Sequence, residues 1–143
     1  MSTGDLQYVL TTWGTDRPEL QHLRREVFVL EQGVPEELEW DDTDPVSVHV
    51  LATVNREPVG TGRLSPTGKI GRMAVKAGLR GRGVGSTILK LLLQEACRRS
   101  LHEVWLHAQL SAVSFYEKHG FRCEGEVFDE AGIPHRRMKL ALE

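Results

Sequence analysis

The sequence predicts one α+β domain built around a mostly antiparallel sheet, and three observations carry that reading. Three strand-like segments follow one another as a meander between residues 46 and 75. A glycine-rich loop, Arg80-Gly81-Arg82-Gly83-Val84-Gly85-Ser86, then leads straight into an apolar helical segment. Two more strand-like segments close the chain around the turn Asp129-Glu130-Ala131-Gly132. The 143 residues are 40% hydrophobic, and a chain of this length buries roughly 68–70% of the surface its unfolded form exposes. No linker, repeat or low-complexity stretch divides it, so residues 1–143 read as a single domain.

The first element, Leu6-Gln7-Tyr8-Val9-Leu10, alternates as a strand. Thr15-Asp16 offers a helix N-cap, Pro18 is tolerated in the first turn, and Leu20, Leu23, Val27 and Leu30 form one apolar face. Gly33 and Pro35 end that helix. Val46, Val48, Val50, Ala52 and Val54 alternate as a second strand, and Asn55-Arg56-Glu57-Pro58 turns it into a third, Val59 to Leu64. Pro66-Thr67-Gly68 turns again into a strand from Lys69 to Val75. After the glycine loop, Thr87 to Cys97 is helical by composition. A short strand, Val104 to Ala108, precedes a helix capped by Ser111 and ended by Gly120 as a left-handed cap. Strands Phe121 to Phe128 and Ile133 to Leu140 finish the chain.

Composition excludes several classes. Eighteen Lys+Arg against twenty Asp+Glu leave a formal charge of −2, where a nucleic-acid binder is usually strongly basic. Cys97 and Cys123 stand alone, so neither a disulfide framework nor a metal site is expected, and a reducing cytoplasm is the natural setting. Apolar runs fall short of the ~20 residues that span a bilayer. Met1 to Asp5 lacks the basic start and apolar core of a secretory signal.

Three glycines at alternate positions between strand and helix let backbone N–H groups converge without side chains in the way. With the helix dipole behind them, and Arg80 and Arg82 beside them, they suit a phosphate. A Walker loop would need a lysine before Ser86, and none is there. A dinucleotide fold would need GxGxxG and an acid after the next strand, whereas Glu103 precedes it.

Gly71-Arg72-Met73-Ala74-Val75 and Arg80-Gly81-Arg82-Gly83-Val84-Gly85 resemble the acyl-CoA motif of the GNAT N-acetyltransferase superfamily, whose Gln/Arg-x-x-Gly-x-Gly/Ala pattern Arg80, Gly83 and Gly85 match. Ser114-Phe115-Tyr116-Glu117-Lys118-His119-Gly120-Phe121 resembles its second motif. The resemblance implies a mixed, splayed sheet of about seven strands flanked by about four helices, with acetyl-CoA as co-substrate between the fourth and fifth strands. It implies that Met73, Ala74 and Val75 offer a strand edge to pantetheine, while Gly81 to Ser86 hold the pyrophosphate. Phe115 and Gln109 line the same cofactor path. Gln109 stands where many members carry asparagine, so its contact is the less secure. Tyr116 matches the family's general acid.

Gly132-Ile133-Pro134-His135-Arg136-Arg137-Met138 resembles a small bacterial branch that includes glyphosate N-acetyltransferase, which makes His135 the candidate base. Glu31 and a water chain are the alternatives. Histidine suits that work because its ordinary pKa lies near neutrality. His49 and His107, also on strands, read equally as structural or catalytic. Glu31, Arg63 and Arg72 are the candidate acceptor contacts, with a strand-edge salt bridge the alternative for Arg72.

Six acids between residues 36 and 44 form either a solvated loop or a rim attracting a cation. Arg63, Arg72, Arg136 and Arg137 favour an anion, and an amino-acid-like amine would satisfy both. The expected activity is direct acetyl transfer to such a small amine, by a monomer or homodimer. A CoA-binding sensor without turnover and a peptide N-acetyltransferase stay open as other classes.

Overall fold

The computed structural model describes residues 5–142. Most of the opening segment read for a signal, residues 1–4, lies outside them. The strands are β1 (Leu6–Thr12), β2 (Val48–Val54), β3 (Glu57–Leu64), β4 (Lys69–Val75), β5 (Glu103–Gln109), β6 (Arg122–Glu130) and β7 (Ile133–Ala141). The helices are α1 (Trp13–Arg24), α2 (Glu36–Glu39), α3 (Val84–Arg98) and α4 (Val113–Lys118), with a π-helical segment, Arg25–Glu31, continuing α1. One seven-stranded sheet runs in the order β1-β2-β3-β4-β5-β7-β6. Every neighbouring pair is antiparallel except β4 and β5. This is the mixed α+β fold the sequence predicts.

Helix α3 covers one face of the sheet. Ile88, Leu89, Leu92 and Ala96 recur at helical spacing and are fully buried against Val50, Leu64, Leu106 and Met138. The approach is close: a Cβ at Gly62 would lie 2.5 Å from Met73 Sδ and 2.9 Å from Ile88 Cγ2. The opposite face is covered by α1 and the π-helical segment through Leu20, Leu23 and Val27. No helix of the described residues is long and apolar enough to cross a membrane.

Three local readings are corrected. Helix α1 starts at Trp13, where Thr12 Oγ1 accepts the Thr15 N–H, and non-helical angles at Asp16 kink the first turn. The extra residue per turn of the π-helix rotates Leu30 off the apolar face to 73% exposure. Ser111 caps nothing: it lies in a 3₁₀ turn, and α4 begins from Ala112 without a side-chain cap. Gly120, at φ 93°, does take the left-handed conformation that ends α4.

Strands β4 and β5 hold together only at Lys69–Trp105 and Ile70–Leu106. Two causes separate them beyond that point. Arg72, at φ 52°, and Met73 stand opposite the single residue Gly62, a bulge that bends β4. Strand β5 meanwhile stays paired to β7 along its full length, from Glu103–Ala141 to Gln109–His135. The sheet therefore opens as a V.

Candidate active site

A cavity of about 650 Å³ fills that V, lined by β4, β5, the start of β7, Tyr116 of α4 and the π-helical segment. Among the predicted site residues, Met73, Ala74, Val75, Arg80, Gln109, Tyr116, His135, Arg63 and Arg72 all reach its walls. The glycine loop is exposed beside it.

His135 is 6% exposed. Its Nδ1 lies 2.7 Å from the Ile133 carbonyl oxygen, which only accepts, so Nδ1 carries the proton and donates. In the neutral ring this leaves Nε2 with a bare lone pair, the form a general base requires. The ring stacks on Phe128, its register partner across the β6–β7 hairpin. Tyr116 is wedged edge-on against Phe115 and Phe121, and burial pushes its phenol above the ordinary tyrosine range. A phenol so placed stays protonated at neutral pH and can donate. Among the described residues its hydroxyl has no hydrogen-bond partner.

Gly81 (φ 79°) and Gly83 (φ 84°) take left-handed backbone, and a Cβ on either would meet nothing within 4 Å. Gly83 is the N-cap of α3, and Thr87 N makes the first intrahelical bond, to Gly83 O. The amides of Val84, Gly85 and Ser86 therefore lie in the unbonded first turn. Open space, unbonded donors and the positive end of a fifteen-residue helix fit a pyrophosphate. Phe115 packs 3.5 Å from where a Gly85 Cβ would be, and Ser86 Oγ is 3.1 Å from His119 Nε2. Arg82 is exposed on the loop.

Two links tie the π-helical segment and its end across this region. Arg80 clasps Glu31 through both terminal nitrogens, at 2.6 and 2.7 Å, while its Nε donates to Val75 O. The guanidinium hydrogen bonds hold the Glu31 carboxyl below its usual range, which makes it a poor proton acceptor. Gln109 donates its amide to Gln32 Oε1 at 2.9 Å.

The acidic run is divided: Glu36, Glu37, Asp41 and Asp42 are exposed, whereas two of its acids are drawn inside. Glu39 and Asp44 are 3% and 1% exposed. Arg24, fully buried between Trp13 and Trp40, bonds both carboxylates. Arg63 bonds Asp41 and Asp44 at 2.8 Å, so its terminal nitrogens are spent within the protein rather than offered to an acceptor. Burial pushes Asp41 up, but the hydrogen bonds and charge of Arg63, with Arg72, bring it down to about 2. Arg72 makes longer contacts, 3.2 Å to Glu39 and 3.3 Å to Asp41, and among the described residues its Nη1 has no partner. The strand-edge salt bridge is thus real, yet one nitrogen is left over. Arg24, Arg63 and Arg72 thus pair with Glu39, Asp41 and Asp44, Arg25 pairs with Glu36 at the surface, and Glu37 and Asp42 stay exposed.

Arg137 lies over Trp105 at 4.3 Å and pairs with Glu124, away from the main cavity. Arg136, opposite Ala108, has a buried Nε with no partner. His49 is structural: its Nε2 lies 3.0 Å from the Asp44 carbonyl oxygen.

Glu130 is the residue sequence reasoning missed. It looks like part of a turn, but on β6 it stands two residues from Phe128 on the face carrying His135. Its Oε1 accepts from His107 Nδ1 at 2.9 Å and its Oε2 is 3.7 Å from His135 Nε2. The period-two alternation of the closing hairpin was the available signal.

The pattern of the acetyltransferase (GNAT) domain family matches residues 15–142. An uncharacterized N-acetyltransferase of Bacillus subtilis, YjcF, is 41% identical over 121 residues, 82% of this chain and 86% of its own. ElaA of Escherichia coli is 35% identical over 128 residues, 83% of each chain. Its crystal structure superposes with a TM-score of 0.86, covering 94% of this chain and 99% of that one at 28% identity. An acyl-CoA N-acyltransferase from Pseudomonas aeruginosa gives a TM-score of 0.84 at 31% identity, with 94% and 99% covered. The splayed mixed sheet and its cleft are those of an acyl-transfer fold. The chain belongs to the GNAT family and is an acetyltransferase.

Proposed function

We propose that the chain transfers acetyl from acetyl-CoA directly to the nitrogen of a small amine or amino-acid-like acceptor. One observation carries this: a histidine whose neutral ring leaves Nε2 free and a tyrosine hydroxyl with no protein partner among the described residues line a single cavity beside an open glycine loop. Acetyl-CoA supplies an activated thioester carbon. The loop amides from Gly81 to Ser86, with Arg82, hold its pyrophosphate, and the parted edge of β4 at Met73, Ala74 and Val75 offers β-type hydrogen bonds to peptide-like groups. Arg80 joins them only by leaving Glu31.

His135 Nε2 removes a proton from the acceptor nitrogen, which is otherwise protonated at neutral pH and has no lone pair to attack with. Tyr116, kept protonated by burial, donates its hydroxyl proton to the departing sulfur. Arg72 lines the same cavity, and its Nη1, without a partner among the described residues, suits an acceptor carboxylate. The finer likeness of Gly132 to Met138 to the glyphosate-acetylating branch supports the same assignment of His135. The pairing of Glu39, Asp41 and Asp44 with Arg24, Arg63 and Arg72 takes half of the acidic run away from a basic peptide and favours a small acceptor.

The test is a screen of free amino acids and short primary amines, following release of CoA thiol. Turnover by at least one acceptor is expected, with kcat lowered about 10²–10⁴-fold in His135→Gln. Tight acetyl-CoA binding with no thiol released across the panel would replace this reading with that of a sensor.

A further inference from the structure

We propose that Glu130 Oε2 and His135 Nε2 together form the seat of the acceptor's ammonium group, and that Glu130 makes the site select nitrogen over oxygen nucleophiles. The inference rests on His135 acting as the base. The two atoms stand 3.7 Å apart at the wall of one cavity, too far to bond each other. Both are acceptors. The Nδ1–H of His135 is already committed to Ile133 O, and Glu130 Oε1 already takes the Nδ1–H of His107. Two bare lone-pair atoms facing one another call for a donor between them.

The spacing says which donor. A single atom lying off the line between them reaches both at ordinary hydrogen-bond length only if it carries two hydrogens. A primary ammonium has three, and its charge matches the carboxylate. An alcohol has one hydrogen and leaves one acceptor unsatisfied. A quaternary ammonium has none. The carboxylate thus holds the charged amine, while Nε2 receives the proton that frees its lone pair.

Three charged or titratable groups face Glu130: His107 from β5, His135 from β7 and Lys69 from β4. Lys69 does not occupy the seat. Its Nζ lies over the Trp105 ring at 5.2 Å, and among the described residues it makes no ion pair with Glu130. The turn that follows sets the backbone position. Glu130 ends β6 directly before the two-residue turn Ala131-Gly132, at φ 52° and 78°, which fixes the hairpin register. Glu130 is therefore a binding residue for the amine, distinct from the proton acceptor.

The experiment titrates methylammonium chloride into the CoA-bound protein, following the imidazole nitrogens of His135 by NMR. Sodium chloride, tetramethylammonium and methanol serve as matched controls. Methylammonium is expected to perturb Nε2 saturably and the controls not at all. Glu130→Gln keeps an oxygen for the His107 N–H but loses the charge, and should weaken methylammonium about tenfold or more, as loss of one charge-assisted hydrogen bond implies. Should Glu130→Gln fail to fold by its melting temperature, Glu130→Asp, with a shorter reach, is expected to weaken binding in the same direction.

Equal methylammonium affinity in variant and wild type would overturn the proposal, as would no binding, or binding of tetramethylammonium alike. In kinetics, Glu130→Gln should raise the KM of the acceptor found by the screen while leaving the KM of acetyl-CoA unchanged. A purely structural role would move both. If His135→Gln keeps full kcat, the base assignment fails, whereas the ammonium seat is judged separately by methylammonium binding.

Discussion

Tyr116 shows how far a single side chain can be separated from the stability of its surroundings. Its ring fills the core beside Phe115 and Phe121, yet its hydroxyl has no protein partner among the described residues. Removing that oxygen leaves no buried group unsatisfied, so Tyr116→Phe should hold its melting temperature. The proton it would give the leaving sulfur is lost, and kcat should fall about 10²-fold or more, typical of a missing general acid. Thermal melting beside thiol-release kinetics checks both halves, and a parallel fall in the two would place Tyr116 in the core alone. Resemblance to family motifs singled out Tyr116 and His135, and a short helix and a closing hairpin bring both to one cavity. The lone pair on Nε2 was not legible, since it follows from a bond to the Ile133 carbonyl that only folded geometry supplies.

At the scale of elements, the cleft exists because β4 bends, and β4 bends because Gly62 lets a two-residue bulge pack over it. A methyl group there would meet Met73 Sδ at 2.5 Å, Ile88 Cγ2 at 2.9 Å and Leu92 Cδ1 at 3.0 Å. Gly62→Ala should therefore destabilise by about 1–3 kcal/mol, the usual cost of overpacking. Met73→Ala in the same chain should recover part of that loss, because the closest atom is then gone. Urea unfolding of the two single variants and the double variant measures the coupling, and strict additivity would sink the explanation. The meander, the glycine loop and both closing strands were readable because each rests on local alternation or turn chemistry. The π-helical segment was not: Leu30 keeps the spacing of an α-helical face, and only tertiary packing shows that the winding changes before it.

Ion pairs that join distant parts of the chain give the whole molecule its acid sensitivity. Arg24 reaches Glu39 and Asp44, fifteen and twenty residues away, and Arg63 reaches Asp41 from twenty-two residues away. No local pattern announces such pairings, which is why six neighbouring acids read as a surface run. Asp41 sits at about 2 in the folded protein, below the ~3.9 of an unfolded aspartate. A depressed folded value means stability that is present above about pH 4 and drains away as pH falls toward 2. Asp44 is lowered too and acts in the same direction, while burial pushes Glu39 upward and offsets part of the effect. Because Asp41 is 36% exposed, solvent screening limits its share to on the order of 1 kcal/mol. Asp41→Asn should thus be less stable than wild type at pH 7 and lose less between pH 4 and pH 2. Urea unfolding at half-unit pH steps reads this directly. Parallel curves for the two proteins would show that Arg63 and Arg72 do not hold Asp41 as a carboxylate, and would remove this network as a cause of acid unfolding.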